Sequence, residues 1–276
     1  MNKLGINLWN WVNSLDSDCL SLPSKIAQMG FTAIELPMTS PHIDEKLAYE
    51  VQKSGLSVSL CACMSAGRDI SSFDETVRNS TKSYIKDCLK TGERLGATVF
   101  AGPLYAGGGK RHYLSDDDKK REWQLAADGV REMAQFAAEC GVPLALEPLN
   151  RYRTSVVNTA HQCLQLIDDI GEKNVGVHFD TYQAGIEEYS ITGAMEDVLK
   201  AGKMAHFHAC ANNRGAPGQG FFSWAEIFCL LKRYGYNGDV TMETFAHGGL
   251  DSGYTEATVP PDALALAGLA CMKQFF

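Results

Sequence analysis

The sequence predicts an α/β protein, a single (β/α)8 barrel domain spanning residues 1–276, and three observations carry that expectation. Eight short β-like runs follow one another along the chain, each separated from the next by a stretch of helical periodicity. Several of those stretches close on a glycine just before the next run, at Gly30, Gly55, Gly96, Gly141 and Gly235, the usual signal for a left-handed helix C-cap. The chain has 276 residues, and single α/β barrels commonly reach about 250. An open doubly wound sheet would need fewer strands and a phosphate-binding glycine fingerprint near its start. Neither G-x-G-x-x-G nor G-x-x-x-x-G-K-[ST] occurs.

In chain order the eight runs are Leu4 to Trp9, Thr32 to Pro37, Val58 to Cys63, Thr98 to Leu104, Pro143 to Leu149, Val175 to Thr181, Met204 to Cys210 and Asp239 to Thr244. Between the fourth and fifth, Ala126, Val130, Met133 and Ala137 recur on one helical face, which is the stripe a barrel helix turns toward its strand. The glycine-rich stretches Ala106 to Gly109, Gly215 to Gly220 and Gly248-Gly249 all follow strands. They are therefore expected at the C-terminal face, where barrel enzymes build their sites from loops. No linker and no short-period repeat divides the chain.

Composition narrows the class further. Hydrophobic residues make up 45% and charged residues 21%, which excludes disorder, collagen and coiled coil. A net charge of -8 gives no cationic grip on nucleic acid. No apolar run reaches the length of a membrane span, and the N-terminus lacks a signal-peptide core, so the expected location is cytoplasmic. The nine cysteines are an odd number in a long chain and are expected to be reduced, mostly core residues. Cys61 and Cys63 form C-x-C, not the C-x-x-C of redox and zinc sites.

Four consecutive strands carry charged or imidazole side chains near their C-terminal ends, where apolar or small residues are expected because an unpaired buried charge is costly. These are Leu144-Ala145-Leu146-Glu147, Val177-His178-Phe179-Asp180, His206-Phe207-His208 and Val240-Thr241-Met242-Glu243. Two-residue alternation places Ala145 with Glu147, His178 with Asp180, His206 with His208, and Thr241 with Glu243 on common faces. If those faces point inward, three carboxylates and an imidazole converge, and a divalent cation relieves their repulsion. Mixed oxygen and nitrogen ligation suits Mn²⁺, Mg²⁺ or Co²⁺ better than a closed structural zinc site. Blander readings compete at each position. Glu147 has Arg151 and Arg153 nearby as ion-pair partners, and Asp180 is placed to cap the following turn. Only one of His206 and His208 need be a ligand, and the other then serves as its support. His178 reads as structural, and His42, His112, His161 and His247 as solvated loop or helix-start residues.

With these residues in view, the chain resembles the xylose isomerase-like sugar phosphate isomerases and epimerases. It is most similar to the D-tagatose/D-psicose (ketohexose) 3-epimerases and the 3-keto-glycoside epimerases. The likeness rests on Glu147-Pro148-Leu149-Asn150-Arg151-Tyr152, on His178-Phe179-Asp180-Thr181-Tyr182 with Gly185 to Glu188 behind it, and on Gly202 to His208. It runs nearly end to end, through Phe100-Ala101-Gly102, Trp224 to Phe228 and Gly235 to Gly238. The resemblance implies one metal held by Glu147, Asp180, His208 and Glu243, with Mn²⁺ foremost and Mg²⁺ or Co²⁺ as the other options. His208 is preferred over His206 because the family's ligand stands six residues before an arginine, here Arg214. It further implies that the metal polarises a ketone and its neighbouring hydroxyl. Glu147 and Glu243 then exchange protons on opposite faces of a cis-enediolate, which inverts the centre. Arg214 would hold substrate oxygens, Glu187 would shape the following loop, and Trp9 and Cys61 would line the sugar pocket.

Two departures touch recognition and leave the ligands intact. Gln183 stands where the family usually has a histidine, and glutamine both donates and accepts but does not titrate. Arg153 stands where ketohexose epimerases often carry an acidic residue. The expected partner is thus a small sugar or keto-sugar of unspecified identity, with no nucleic acid or membrane, in a homodimer or homotetramer. Aldose-ketose isomerisation and C-glycoside elimination begin with the same proton abstraction and stand as alternatives. An apurinic endonuclease-like hydrolase shares the fold, but its zinc cluster needs histidines that this chain lacks at residue 183 and after Ala101.

Overall fold

A computed structural model describes residues 2–15, 19–245 and 259–276. Its eight parallel strands close into a barrel in sequence order. The strands are β1 Leu4–Asn7, β2 Ala33–Met38, β3 Ser57–Ala62, β4 Phe100–Gly102, β5 Leu144–Leu146, β6 Val175–Asp180, β7 Met204–Ala209 and β8 Val240–Met242. The helices are α1 Leu22–Met29, α2 Glu45–Ser54, α3 Glu75–Leu95, α4 Asp116–Glu139, α5 Ala160–Ile170, α6 Thr181–Glu187, α7 Ile191–Lys200, α8 Trp224–Arg233 and α9 Pro261–Met272. The fold class read from the sequence is the one observed. Among the described residues no helix is long and apolar enough to cross a membrane.

Strand ends differ from the sequence reading. The first run leaves the sheet at Asn7, whose side chain caps a 3-10 turn over Leu8–Asn10, so Trp9 stands on that turn and not on a strand. The fourth, fifth and eighth runs shorten to three residues each. Glu147 and Glu243 therefore lie one residue beyond β5 and β8, where the chain has left the ladder but its alternation still holds. The expected helix stripe is as read: Ala126, Val130, Met133 and Ala137 are all buried on α4. Gly30 and Gly96 cap α1 and α3 in left-handed backbone, a conformation that glycine adopts without the steric cost of a Cβ. Gly248-Gly249 and His247 lie outside the described residues.

Alternation along the strands divides them into two faces. Ile34, Leu36 and Met38, Val177 and Phe179, Phe207 and Ala209, and Val240 and Met242 pack outward into the main hydrophobic core with the helices. The intervening residues face inward. Val99, Ala101 and Ala145 form a small separate cluster with Ala205, and Gly5 has no room for a Cβ because Thr241 Oγ1 would stand 2.7 Å from it. Small side chains therefore fill this part of the barrel interior. The other inward positions include a polar set that is fully or nearly fully buried: Asn7, Glu35, Ser59, His178, Asp180, His206, His208 and Thr241. This polar interior positions the site.

Candidate active site

Strand register brings the sequence-separated residues together. Asp180 pairs with His208 across β6 and β7, and His208 with Thr241 across β7 and β8. A register shift at Val177/His178 sets this alignment, putting His178 opposite His206. Leu146 lies opposite Val177, so Glu147 comes level with His178, and its Oε2 is 3.8 Å from His178 Nδ1. One side-chain atom each from Asp180, His208 and Glu243 lies within 4.8 Å of the other two, and all three residues are buried. Glu147 is outside that tight group. It faces the cavity above it, as Glu243 does.

That cavity measures about 560 Å³, and Trp9, Cys61, Arg153, Gln183 and Arg214 line it together with Glu147 and Glu243. The five residues expected to meet substrate thus stand around one space next to the carboxylates. Trp9 lies against Phe245, ring centroids 6.4 Å apart. Burial pushes the Cys61 thiol well up, with Glu35 and Glu243 adding to it, so Cys61 is a neutral wall and not a nucleophile. Gln183 Oε1 accepts hydrogen bonds from the backbone N–H and the side-chain amide of Asn150, which leaves its amide nitrogen as the group to offer a ligand.

The competing local readings resolve individually. Asp180 does cap α6, accepting from Tyr182 N at 2.8 Å through Oδ1. Its other oxygen receives Arg214 Nη1 at 3.2 Å, so capping and site geometry coexist. Arg151 pairs with Glu187 at 2.9 Å, so its guanidinium is engaged with Glu187. Glu187 accordingly ties α6 back to the loop that precedes α5. His42 and His161 are exposed, as expected. His112 is half-exposed, 3.5 Å from Glu122.

Arg214 sits with φ at 60°, a left-handed conformation that costs a non-glycine residue roughly 1–2 kcal/mol. The guanidinium gains by lying 3.7 Å from the centroid of the Tyr182 ring and by donating to Glu243 Oε2 at 3.0 Å. Electrostatics then separate the two glutamates. Burial drives Glu147 well above the usual carboxylate range, with Asp180 and Glu243 pushing the same way. Burial also opposes ionisation of Glu243, but His208 and Arg214 overcome it and hold its carboxyl low. Asp180 is pushed up to about 6 by burial, against the pull of Arg214.

A buried carboxylate that the sequence reading missed stands below this group. Glu35, on β2, is fully buried with an oxygen 2.6 Å from His206 Nε2 and another 2.6 Å from His208 Nε2. The available signal was a single acid inside the otherwise apolar run Ala33-Ile34-Glu35-Leu36-Pro37-Met38. His208 Nδ1 is buried without a hydrogen-bond partner and lies 3.7 Å from Glu243. An orphaned imidazole nitrogen beside clustered carboxylates is a donor set that a divalent cation completes.

With this geometry in place, the relationships of the chain are decisive. A family model described as a xylose isomerase-like TIM barrel matches residues 23–275. The chain belongs to that family. It is 33% identical over 253 residues to a D-psicose 3-epimerase of Ruminiclostridium cellulolyticum, covering 90% of this chain and 85% of the relative. It is 30% identical to an L-ribulose 3-epimerase of Mesorhizobium japonicum, over 94% and 86% of the two chains. The crystal structure of D-psicose 3-epimerase with D-tagatose from Clostridium cellulolyticum H10 superposes with a TM-score of 0.88 at 30% identity, covering 99% of each chain. These relatives of the xylose isomerase-like chain are carbohydrate epimerases.

Proposed function

We propose that this chain is a metal-dependent carbohydrate epimerase of the ketose 3-epimerase type. The observation that carries the reading is the convergence of Asp180, His208 and Glu243 within 4.8 Å, beside a cavity that Glu147 and Glu243 both face. Glu147, Asp180, His208 and Glu243 would hold the ion, with Mn²⁺ foremost and Mg²⁺ or Co²⁺ as the other options. When bound, the ion supplies Lewis-acid polarisation of a ketone and its neighbouring hydroxyl, acidifying the C–H between them.

The chain's own residues do the proton work. Glu243, held ionised by His208 and Arg214, is suited to remove that proton. Glu147, which lines the same cavity, would carry the proton that is returned, and the pair exchanges roles in the reverse direction. They follow β5 and β8, which stand three strands apart round the ring, and this separation supports approach to the substrate from two sides. Arg214 holds substrate oxygens beside Glu243, the amide of Gln183 addresses a hydroxyl, and Trp9 and Cys61 exclude water from one wall. Arg153 is the cavity residue we assign to substrate discrimination.

The test is exchange in D₂O with Mn²⁺-loaded protein and a panel of ketopentoses, ketohexoses, aldoses and 3-keto-glycosides. Deuterium is expected next to the carbonyl of a ketose, with the epimer as product and no exchange after chelation. Aldose products would move the reading to an isomerase and unsaturated products to an eliminase. Absence of exchange across the panel would remove the ketose reading.

A further inference from the structure

We infer that Glu35 is a positioning residue for the metal centre: it fixes the His208 imidazole so that Nδ1 faces the ion. The inference rests on the reading of His208 as a ligand, and it concerns a residue three strands removed from β7 on the barrel ring. Glu35 Oε1 accepts from Asn7 Nδ2 at 2.7 Å and lies 2.6 Å from His208 Nε2. Its Oε2 accepts from Ser59 Oγ at 3.0 Å and lies 2.6 Å from His206 Nε2. Hydrogen bonds with Asn7, Ser59 and His208 thus converge on one carboxylate, and His206 stands close against it.

The geometry follows from what a carboxylate can do. Ionised, it only accepts, so the nitrogen facing it at 2.6 Å must carry hydrogen. With hydrogen on Nε2, the lone pair available for coordination is on Nδ1, and that atom is the one turned toward Glu243. Asn7 and Ser59, on the strands flanking β2, hold the carboxylate from the other side, and this fixes the ring plane as well as the tautomer. A carboxylate behind a ligating imidazole also raises the basicity of the ligand, and losing one typically costs about 10–100-fold in metal affinity. A merely structural Glu35 would satisfy the two imidazoles with no such effect on the ion.

Two measurements on the full chain separate these cases. Glu35→Gln keeps the volume and removes the charge. Free Mn²⁺, followed by its EPR signal, is expected to report binding about 10–100-fold weaker than in the wild type, with the circular dichroism unchanged. In wild-type protein loaded with diamagnetic Mg²⁺, ¹⁵N-resolved histidine NMR is expected to show His208 protonated at Nε2 and bare at Nδ1. This second measurement stands even if the variant fails to fold. A folded variant that binds Mn²⁺ within twofold of the wild type, or a His208 protonated at Nδ1 in the loaded protein, overturns the inference alone. Wild-type protein that takes up no Mn²⁺ overturns the metal centre itself, and the role of Glu35 with it.

Discussion

Two glutamates in one cavity behave differently because their neighbours differ. Glu243 has an imidazole 3.7 Å away and a guanidinium at 3.0 Å, whereas burial and the negative charges of Asp180 and Glu243 outweigh the pull of His208 and Arg214 on Glu147. On the proposed reading each carboxylate handles one proton, so Glu147→Gln and Glu243→Gln should each slow substrate deuterium exchange by about 10²-fold or more. Exchange within a fewfold of wild type in either variant would remove that residue's role. Gln183→His tests recognition separately. It is expected to change the ratio of kcat/KM between ketoses while leaving Mn²⁺ affinity within about twofold, because residue 183 faces the cavity and not the Asp180, His208 and Glu243 group; loss of the ion would place it at the metal. Most of these residues were legible because a charge at a strand's C-terminal end violates the expectation for a barrel interior. Glu35 broke the same expectation in mid-strand, but its meaning depends on His206 and His208, more than 170 residues away, and only the closed ring brings them together.

At the level of elements, what the sequence shows is rhythm and what it conceals is extent. Apolar alternation continues through Leu149 and Thr244, yet β5 ends at Leu146 and β8 at Met242, because side-chain pattern does not record where the neighbouring strand stops offering hydrogen bonds. The register shift at Val177/His178 left no mark in the sequence either, and it decides which histidine meets Asp180. Loops show the same dependence on distant partners. Lys110, in the glycine-rich segment after β4, contacts Asp69 at 2.7 Å and Glu122 at 2.8 Å. It joins the segment before α3 to the first turns of α4. Its backbone also pairs with Thr154, and Gly109 N donates to Arg153 O, so this knot braces the loop that carries Arg153 to the cavity. Lys110→Met would leave two nearly buried carboxylates without their cation, and about 3–5 kcal/mol of stability should be lost. Urea denaturation measures this; a change below about 0.5 kcal/mol would mean that the ion pairs do not brace the loop.

For the whole molecule the site is a liability until its charges are matched, and this gives the stability a direction with pH. In the metal-free protein Glu147 lies well above its ordinary range, and Asp180 is pushed up to about 6, in both cases chiefly by burial. Each binds more protons in the folded chain than in the unfolded one between an ordinary carboxylate pKa and its raised value, so stability falls as pH rises through that window. Burial disfavours a charged His208, but Glu35 and Glu243 outweigh it and hold its pKa well above the ordinary value. Its contribution is complete below the unfolded histidine pKa and is lost as pH rises through the folded one, which is the same direction. The lowered carboxyls of Glu35 and Glu243 act only where the pH drops through the ordinary carboxylate range and beyond. A divalent ion reverses the balance, because it needs the carboxylates ionised and the imidazole nitrogen bare. At a free concentration of one hundred times its dissociation constant it adds about 2.7 kcal/mol. The difference in Tm between Mn²⁺-loaded and chelated protein is therefore expected to be small at pH 5 and to widen steadily to pH 8. The loaded form should hold its Tm where the chelated form loses it. A gap that stays constant or narrows over that range would show that the buried acids are not the groups that meet the ion. The acidic cluster would then be stabilised at neutral pH by Arg214 and the histidines alone.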